Sequence, residues 1–530
     1  MKPLVRVAWI AVLLALAAPW PAAQQAPERG QTLVVLPFEN ASKAPGLEWI
    51  GESFPEIIGQ RIAATSSIYV VPRQDRLYAL DRLGIPTSAR PSLATLLRLG
   101  EAMDVDYLVI GRYTYDGQSF IATAQLLDMR KLHLSDETKE SGPLPQLLDI
   151  QLALTWDVLR QVDPNQIISR NAFVAAAPSV RLDALEKYIR GVMSMDRAGR
   201  LRDLKEAVRL NPVYTPAIMA LARTYYDARD YANAATWYGK VPANDPAARE
   251  AQFFLGMSAY YAGDMAKAQS AFEFVATRLP LTEIYNNLGV VADRRGQKSA
   301  ADYFQRATLA DPSDTDYRFN LAVALYKAGD TAGASKQLKD LIALRPDAEA
   351  KSFLEQLSVA NASVKPKVPL ARIKSNYDET SFRQLALEIE AVNEERVAKS
   401  DARTHANFHV QHGRQMLEQN LLIVADKDFR EAVTLDPNNA RAHAGLARIL
   451  ELSGDAAAAR TEANTSLRLG PNADAFLVVA RLDLNDNKPE AAGQSVDKAL
   501  QLEPANAAAQ ALKSAIAAKL AEKAQPLRNP

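Results

Sequence analysis

The sequence predicts an α+β chain in two parts: an N-terminal mixed α/β sandwich domain, then an all-α superhelix of paired helices in two blocks. Two observations predict it. Eight prolines, Pro212, Pro246, Pro280, Pro312 and Pro346, then Pro437, Pro471 and Pro504, recur in steps of 34, 34, 32 and 34 and then of 34 and 33 residues. A period in this range marks an array of helical hairpins, which stack into a continuous core and present a concave wall. Ahead of the array, residues 31–163 instead mix short β-branched and apolar runs with stretches of helical spacing.

Composition bounds what the chain can do. Of its 530 residues 48% are hydrophobic, enough for real cores, and 62 Lys and Arg balance 62 Asp and Glu. No global field therefore draws it to nucleic acid or to an anionic membrane. Cysteine is absent, which excludes disulfides, thiolate metal sites, a cysteine nucleophile and the lipidated cysteine of a lipoprotein.

Residues 1–23 read as a signal peptide. Lys2 and Arg6 precede a twelve-residue apolar run, Val7 to Ala18, and Pro21-Ala22-Ala23 supplies small residues for cleavage before Gln24. That run is too short for a hydrocarbon core of about 30 Å, which takes about 20 helical residues. The alternative is an uncleaved anchor. No later stretch is apolar enough for a stable span, so the expected location is periplasmic or otherwise exported.

Within residues 31–163, Thr32 to Phe38 reads as a strand, and Trp49, Ile50, Phe54, Ile57, Ile58 and Ile62 recur at helical spacing. Pro55 is tolerable there only near the helix start. Ile68 to Pro72 reads as a second strand, followed by helices at Asp75 to Leu83 and at Ser92 to Met103, the latter capped by Ser92. Tyr107 to Tyr115 and Ser119 to Leu127 flank Asp116-Gly117, a hairpin signal. Leu144 to Val162 closes the domain as an amphipathic helix.

Three stretches of this region, Val34-Val35-Leu36-Pro37-Phe38-Glu39-Asn40, Trp49-Ile50-Gly51-Glu52-Ser53 and Val105-Asp106-Tyr107-Leu108-Val109-Ile110-Gly111-Arg112, carry a resemblance. The region resembles the FlgO-like and TolB-N-terminal-like domains of bacterial envelope proteins, which share a fold with the CsgG secretion family. These motifs read as fold determinants. The resemblance implies an envelope location, and it departs from the lipoproteins among those relatives in lacking a cysteine.

After a linker at Asn165 to Arg181, the first repeat block covers 182–358. Leu221-Ala222, Leu255-Gly256, Leu288-Gly289 and Leu321-Ala322 recur at equivalent positions, as do Ala234, Ala268, Ala300 and Ala334, and Tyr238, Phe272, Phe304 and Leu338. Small residues let helices approach, and the large one fills the space between them. The second block, 403–504, repeats this with His412-Gly413, Leu446-Ala447 and Val479-Ala480, with Ala425, Ala459 and Ala492, and with Phe429. The pattern resembles the tetratricopeptide repeat family at its most diagnostic positions. Residues 505–523 read as a C-terminal capping helix. Between the blocks, 359–402 reads as a linker and long helix: Lys365-Pro366-Lys367-Val368-Pro369 cannot be helical throughout, while Thr380 to Lys399 has helical periodicity.

In such arrays three positions of each first helix line the concave wall. In the first block they are Met219, Arg223 and Tyr226, then Phe253, Met257 and Tyr260 with adjacent Tyr261, then Phe319 and Tyr326. This aromatic groove suits an amphipathic helix or an extended peptide, unless neighbouring helices or the chain's own linker already cover it. The carboxylate clamp of chaperone-type relatives is not reproduced: Asn287 is suitably placed, but Phe253 and Met257 stand where that clamp has Lys and Asn. In the second block Arg414, Arg448 and Arg481 form a row that favours an acidic partner, or else pairs with local glutamates such as Glu418 and Glu451.

Four of the five histidines, His405, His409, His412 and His443, lie close in sequence or repeat position. Three share a helix face at i, i+4 and i+7, a spacing that either binds a divalent metal or packs as satisfied core. No phosphate loop, nucleophile elbow or zinc-protease helix is present. The reading is a non-enzymatic exported adaptor or scaffold for protein-protein contact, needing no cofactor. The alternatives are an oligomeric assembly factor of a secretion or surface-polymer apparatus, and a metal-binding protein.

Overall fold

The computed structural model describes residues 31–42, 45–63, 68–86, 91–164, 169–177, 180–360, 365–378, 397–418 and 422–524. The proposed signal peptide and nearly all of the Thr380 to Lys399 helix lie outside the described residues. The chain is a mostly helical superhelix preceded by a small mixed-sheet region.

That region is built on β1 (Thr32–Val35), β2 (Glu39–Asn40), β3 (Tyr69–Val70), β4 (Tyr107–Tyr115), β5 (Phe120–Asp128), β6 (His133–Leu134) and β7 (Thr138–Gly142). The strand order is β3-β1-β4-β5-β6, with β2 added to β4 and β7 to β5. β1 runs parallel to both neighbours, whereas β4 and β5 form an antiparallel hairpin. Its strands match the expected ones to within a residue. At the turn, Gly117 adopts φ 97°, and the Asp116 carboxylate accepts from the amides of Gln118 and Ser119 at 2.9 and 2.8 Å.

Helices cover both faces, so the region is a three-layer sandwich. Leu33 and Val35 point to the side of helices Glu48–Ala63 and Leu147–Val162. Val34 and Leu36 point to the side of Arg73–Arg82 and Leu93–Met103. A strand buried on both sides reads as a continuous apolar run, which is what residues 33–36 are. Ser92 caps its helix as expected, accepting from the Thr95 amide at 3.3 Å.

One expectation fails instructively. The helix begins at Glu48, so Pro55 lies about two turns inside it rather than near its start. A proline has no N–H for the carbonyl four residues back, and the carbonyl it leaves free, that of Gly51, accepts instead from the amide of Phe38 at 2.9 Å. Gly51 itself has no room for a Cβ, which would overlap the Phe38 carbonyl, and a Cβ on Gly111 would overlap the Phe38 ring. Phe38 in turn stacks on Phe54 at 3.9 Å. The three motifs singled out in the sequence thus meet at one point, around Phe38.

The repeats assemble as their spacing predicts. Ala234, Ala268, Ala300 and Ala334 are buried, as are Tyr238, Phe272, Phe304 and Leu338. A Cβ added at Gly256 would collide with Phe272, one at Gly289 with Phe304, and one at Gly445 with Phe429. Turns between paired helices are equally regular: Gly263, Gly329 and Gly454 take positive φ. The aspartate after each caps the next helix. The C-terminal helix runs Ala507–Ala524, where it was expected.

The expected linker at Asn165 to Arg181 is not simply a connector. It contains helix Arg170–Ala175, whose Phe173 is fully buried. Phe173 is buried because Arg61 of the sheet domain lies over its ring, 4.4 Å from the centroid, and donates to its carbonyl at 2.6 Å. Ser169 donates to the Ser453 carbonyl at 3.0 Å, tying the same segment to a late repeat. Tyr188 of the first repeat helix also donates to Glu56 at 2.5 Å.

Gly51→Ala is expected to destabilise the protein by about 1–3 kcal/mol through overpacking. Gly493→Ala, inside helix Pro489–Leu502 with no neighbour nearer than 3.9 Å to the added Cβ, should be neutral or stabilising by up to about 1 kcal/mol. Denaturant titration of both variants checks the pair, and equal effects would contradict the packing described around Phe38.

Candidate functional site

The concave wall of the first repeats is already occupied, by the chain itself. Residues 365–378 carry no helix or strand and lie across it as an extended strap. The strap runs against the order of the repeats. Near its start the Lys367 amide donates to Gln356 of helix Ala348–Val359 at 2.9 Å. Its far end reaches helix Ala248–Ala262, where Tyr377 packs 5.2 Å from Phe253 between ring centroids.

Three asparagines hold the strap. Asn320, on helix Thr315–Lys327, accepts from the Arg372 amide at 2.6 Å and donates to the Arg372 carbonyl at 2.7 Å. Asn287, on helix Thr282–Arg294, does the same for Lys374, at 2.9 and 2.8 Å. Asn286 adds a donor to the Arg372 carbonyl at 2.9 Å and accepts from Asn320 at 2.7 Å. All three are fully buried. Each buried amide is matched by strap backbone or by a neighbouring amide, as burial demands. The grip reads main chain at alternate residues, as a neighbouring strand would.

Side chains add charge to this main-chain grip. In an extended segment residues i and i+2 point the same way, and Arg372 and Lys374 meet a cluster of carboxylates. Arg372 pairs with Asp316 at 3.0 Å, Asp347 at 2.8 Å and Glu349 at 2.8 Å, with its guanidinium 3.7 Å over the Phe319 ring. Lys374 pairs with Asp314 at 2.8 Å and Asp316 at 2.7 Å. These acids belong to helix starts: Asp314 and Asp347 are N-caps, and Asp316 and Glu349 lie in first turns. Helix N-termini favour negative charge there, and two adjacent repeats bring their caps to one edge of the groove. Burial works against both cations, yet the hydrogen bonds Arg372 donates to Asp347, Glu349 and Asp316 hold it above its ordinary pKa, and those Lys374 donates to Asp314 and Asp316 do the same for it. Asp347 is held below the usual carboxylate range by its hydrogen bond from Arg372. Burial opposes the same shift at Asp316, where Lys374 and Arg372 override it.

The nine residues expected to line this groove therefore divide. Phe253, Met257 and Phe319 are fully buried, with Tyr377 against Phe253 and Arg372 over Phe319. Met219, Tyr226, Tyr260 and Tyr326 are half-buried. Arg223 is exposed, pairs with Asp227 at 3.1 Å and lies 4.8 Å from the Phe254 ring. Tyr261 is exposed and stacks on Tyr231 at 4.8 Å. The residues that grip the strap, Asn286, Asn320, Asp314, Asp316, Asp347 and Glu349, were missed. A usable signal existed: Asn287 and Asn320 each precede the Leu of the repeated small-residue pair, a buried position where an amide is out of place unless something bonds it.

In the second groove the alternative reading of the arginine row, pairing with local glutamates such as Glu451, describes two of the three arginines. Arg448 and Arg481 both pair with one half-buried carboxylate, Glu451, at 2.8 and 2.6 Å. Arg414 lies 3.8 Å from Asp474. The row is largely neutralised from within.

The histidines form core pairs rather than a metal site. His409 and His412 each turn Nδ1 to Asp428, at 2.9 and 2.7 Å, and His405 contacts His409 at 3.2 Å. His443 turns Nδ1 to Glu462 at 2.6 Å, and its Nε2 meets the Pro437 carbonyl oxygen at 3.0 Å. His443–Glu462 repeats His409–Asp428 one period later in the same roles. Burial alone would raise the Asp428 pKa, but the hydrogen bonds from His409 and His412 lower it. Among the described residues no group of three or more His, Asp or Glu is arranged to hold a metal ion, and none of the helices is long and apolar enough to cross a membrane.

Family comparison places the Tetratricopeptide repeat pattern on residues 219–273, 298–357 and 417–474. These segments are tetratricopeptide repeats. Among curated proteins the chain is similar to Protein O-mannosyl-transferase TMTC1 of Homo sapiens, at 26% identity over 192 residues, 36% of this chain and 20% of that protein. The chain thus spans a fifth of that relative's length. Similar solved structures include MamA, at 19% identity and a TM-score of 0.29 over 30% of this chain and 89% of that one. Another is YrrB, a TPR protein with an unusual peptide-binding site, at 17% identity and a TM-score of 0.29 over 32% and 89%. Tetratricopeptide repeats are interaction scaffolds, typically without catalytic activity, and bind peptide or protein partners.

Strap docking is favoured above the ordinary carboxylate pKa of about 4, because Asp316 and Asp347 titrate lower when docked, and it weakens as pH falls through those lowered values. At the other end, the raised values of Arg372 and Lys374 preserve docking up to the ordinary lysine pKa of about 10. Amide exchange protection at Arg372 and Lys374 should therefore hold between about pH 5 and 9 and fall below about pH 4; undiminished protection at about pH 3 would show that the carboxylates do not fasten the strap. Separately, Asp428→Ala strands two histidines and should cost about 2–3 kcal/mol in a thermal or denaturant melt.

Proposed function

We propose that the chain is an exported, non-enzymatic adaptor that holds protein partners in the bacterial cell envelope through the concave walls of its repeats, arranged in two blocks. The observation that carries this reading is the asparagine grip. A wall that bonds both the N–H and the C=O of alternate residues in an extended segment is a peptide-binding wall, whatever segment lies in it. The N-terminal sheet domain fits an envelope module of the FlgO-like and TolB-N-terminal-like kind on the strength of the motifs that converge on Phe38.

The partner expected is a protein offering an extended segment. Tyr261, exposed beside half-buried Tyr226 and Tyr260, is suited to a flanking apolar residue of such a segment, since burying a large side chain contributes about 1.5–3 kcal/mol.

A photo-crosslinking residue in place of Tyr261, activated in intact envelopes, should give one or a few discrete protein adducts, on a chain whose mature N-terminus is Gln24. Retention of Met1, or a chain recovered from the cytoplasmic fraction without adducts, would sink the adaptor reading.

A further inference from the structure

We propose that the first groove is selective for an extended basic segment of the pattern Arg-x-Lys on a separate protein, and that residues 366–378 are an internal stand-in which that segment must displace. The inference rests on the adaptor reading and adds to it the chemistry of the partner and a latch on access.

The pattern is defined by register. Asn320 and Asn287 fix the main chain at two positions two residues apart, so the side chains there are presented to the same edge. That edge carries Asp314, Asp316, Asp347 and Glu349, four carboxylates for the two strap cations that pair with it, Arg372 and Lys374. The surplus acid favours a segment at least as basic as the strap. Arginine is favoured at the first position because its planar guanidinium lies on the Phe319 ring while meeting three carboxylates, a geometry an ammonium cannot reproduce. The intervening residue is apolar: Ile373 packs against the repeat core.

The strap is built to compete rather than to be permanent. Among the described residues no backbone ladder pairs with it, and side chains of the repeats hold its main-chain amides at Lys367, Arg372, Lys374 and Asp378. It can leave without breaking a helix or sheet. Tethered only six residues beyond helix Ala348–Val359, it acts at an effective concentration on the order of millimolar, which a free segment must overcome.

The test uses the full chain and a fluorescent peptide of the sequence Lys365 to Asp378. Wild type should bind it at least about tenfold more weakly than the opened variant R372E/K374E, reflecting loss of the tethered competitor. In the opened background, Asn287→Ala with Asn320→Ala should abolish binding, and a peptide with alanine at both cationic positions should bind at least about tenfold more weakly. Should charge reversal impair folding, as read by circular dichroism, a variant with 366–378 replaced by Gly and Ser of equal length takes its place. Equal binding by wild type and both opened variants overturns the latch, and no binding by either opened variant overturns the groove's specificity. Light scattering that shows dimers of the opened variant would assign the groove to a second copy of this chain and overturn the separate-protein partner. Peptide binding as expected without envelope adducts would defeat the adaptor reading alone.

Discussion

The close approach of paired helices at single small residues is the constraint on which the superhelix depends. At Gly256 and Gly289 the aromatic of the paired helix, Phe272 or Phe304, occupies the space where a Cβ would stand, and at Gly413 Phe429 comes within 3.1 Å of it. Because interiors are close-packed, this contact fixes how each helix leans on the next, and its recurrence bends the stack into a wall. Only on such a wall do Asn287 and Asn320, one repeat apart, point at the same extended segment, and only there do the caps of successive helices gather their carboxylates on one edge.

The same constraint explains why the repeats were legible in the sequence. Small and large positions recur with the helix period, so the rule that builds the structure is also written in its spacing. Within the sheet domain, strands β1, β4 and β5 announce themselves by apolar runs. Strand β7, Thr-Lys-Glu-Ser-Gly, does not, since its place comes from pairing with β5. Pro55 misled for a similar reason: its tolerance two turns into a helix is decided by Phe38, far away in sequence, which takes up the carbonyl that the proline releases.

The site was half legible. Aromatic wall positions and the non-helical Lys-Pro segment were each visible, and the linker stood as an alternative cover of the groove, yet nothing local fixes which of its residues the wall holds. The asparagines were visible as residues but not as a set, because their meaning lies in what they bond. The arginine row shows the converse: periodicity aligned Arg448 and Arg481 correctly, and one glutamate, Glu451, altered what the alignment means.

Phe173 has a reach beyond its own short helix. It is enclosed by Arg61 from the sheet domain, its neighbour Ser169 is bonded to the turn at Ser453, and Tyr188 returns from the first repeat helix to Glu56. The sheet domain and the superhelix consequently share a keystone, so that displacing Phe173 would disturb the packing of both at once.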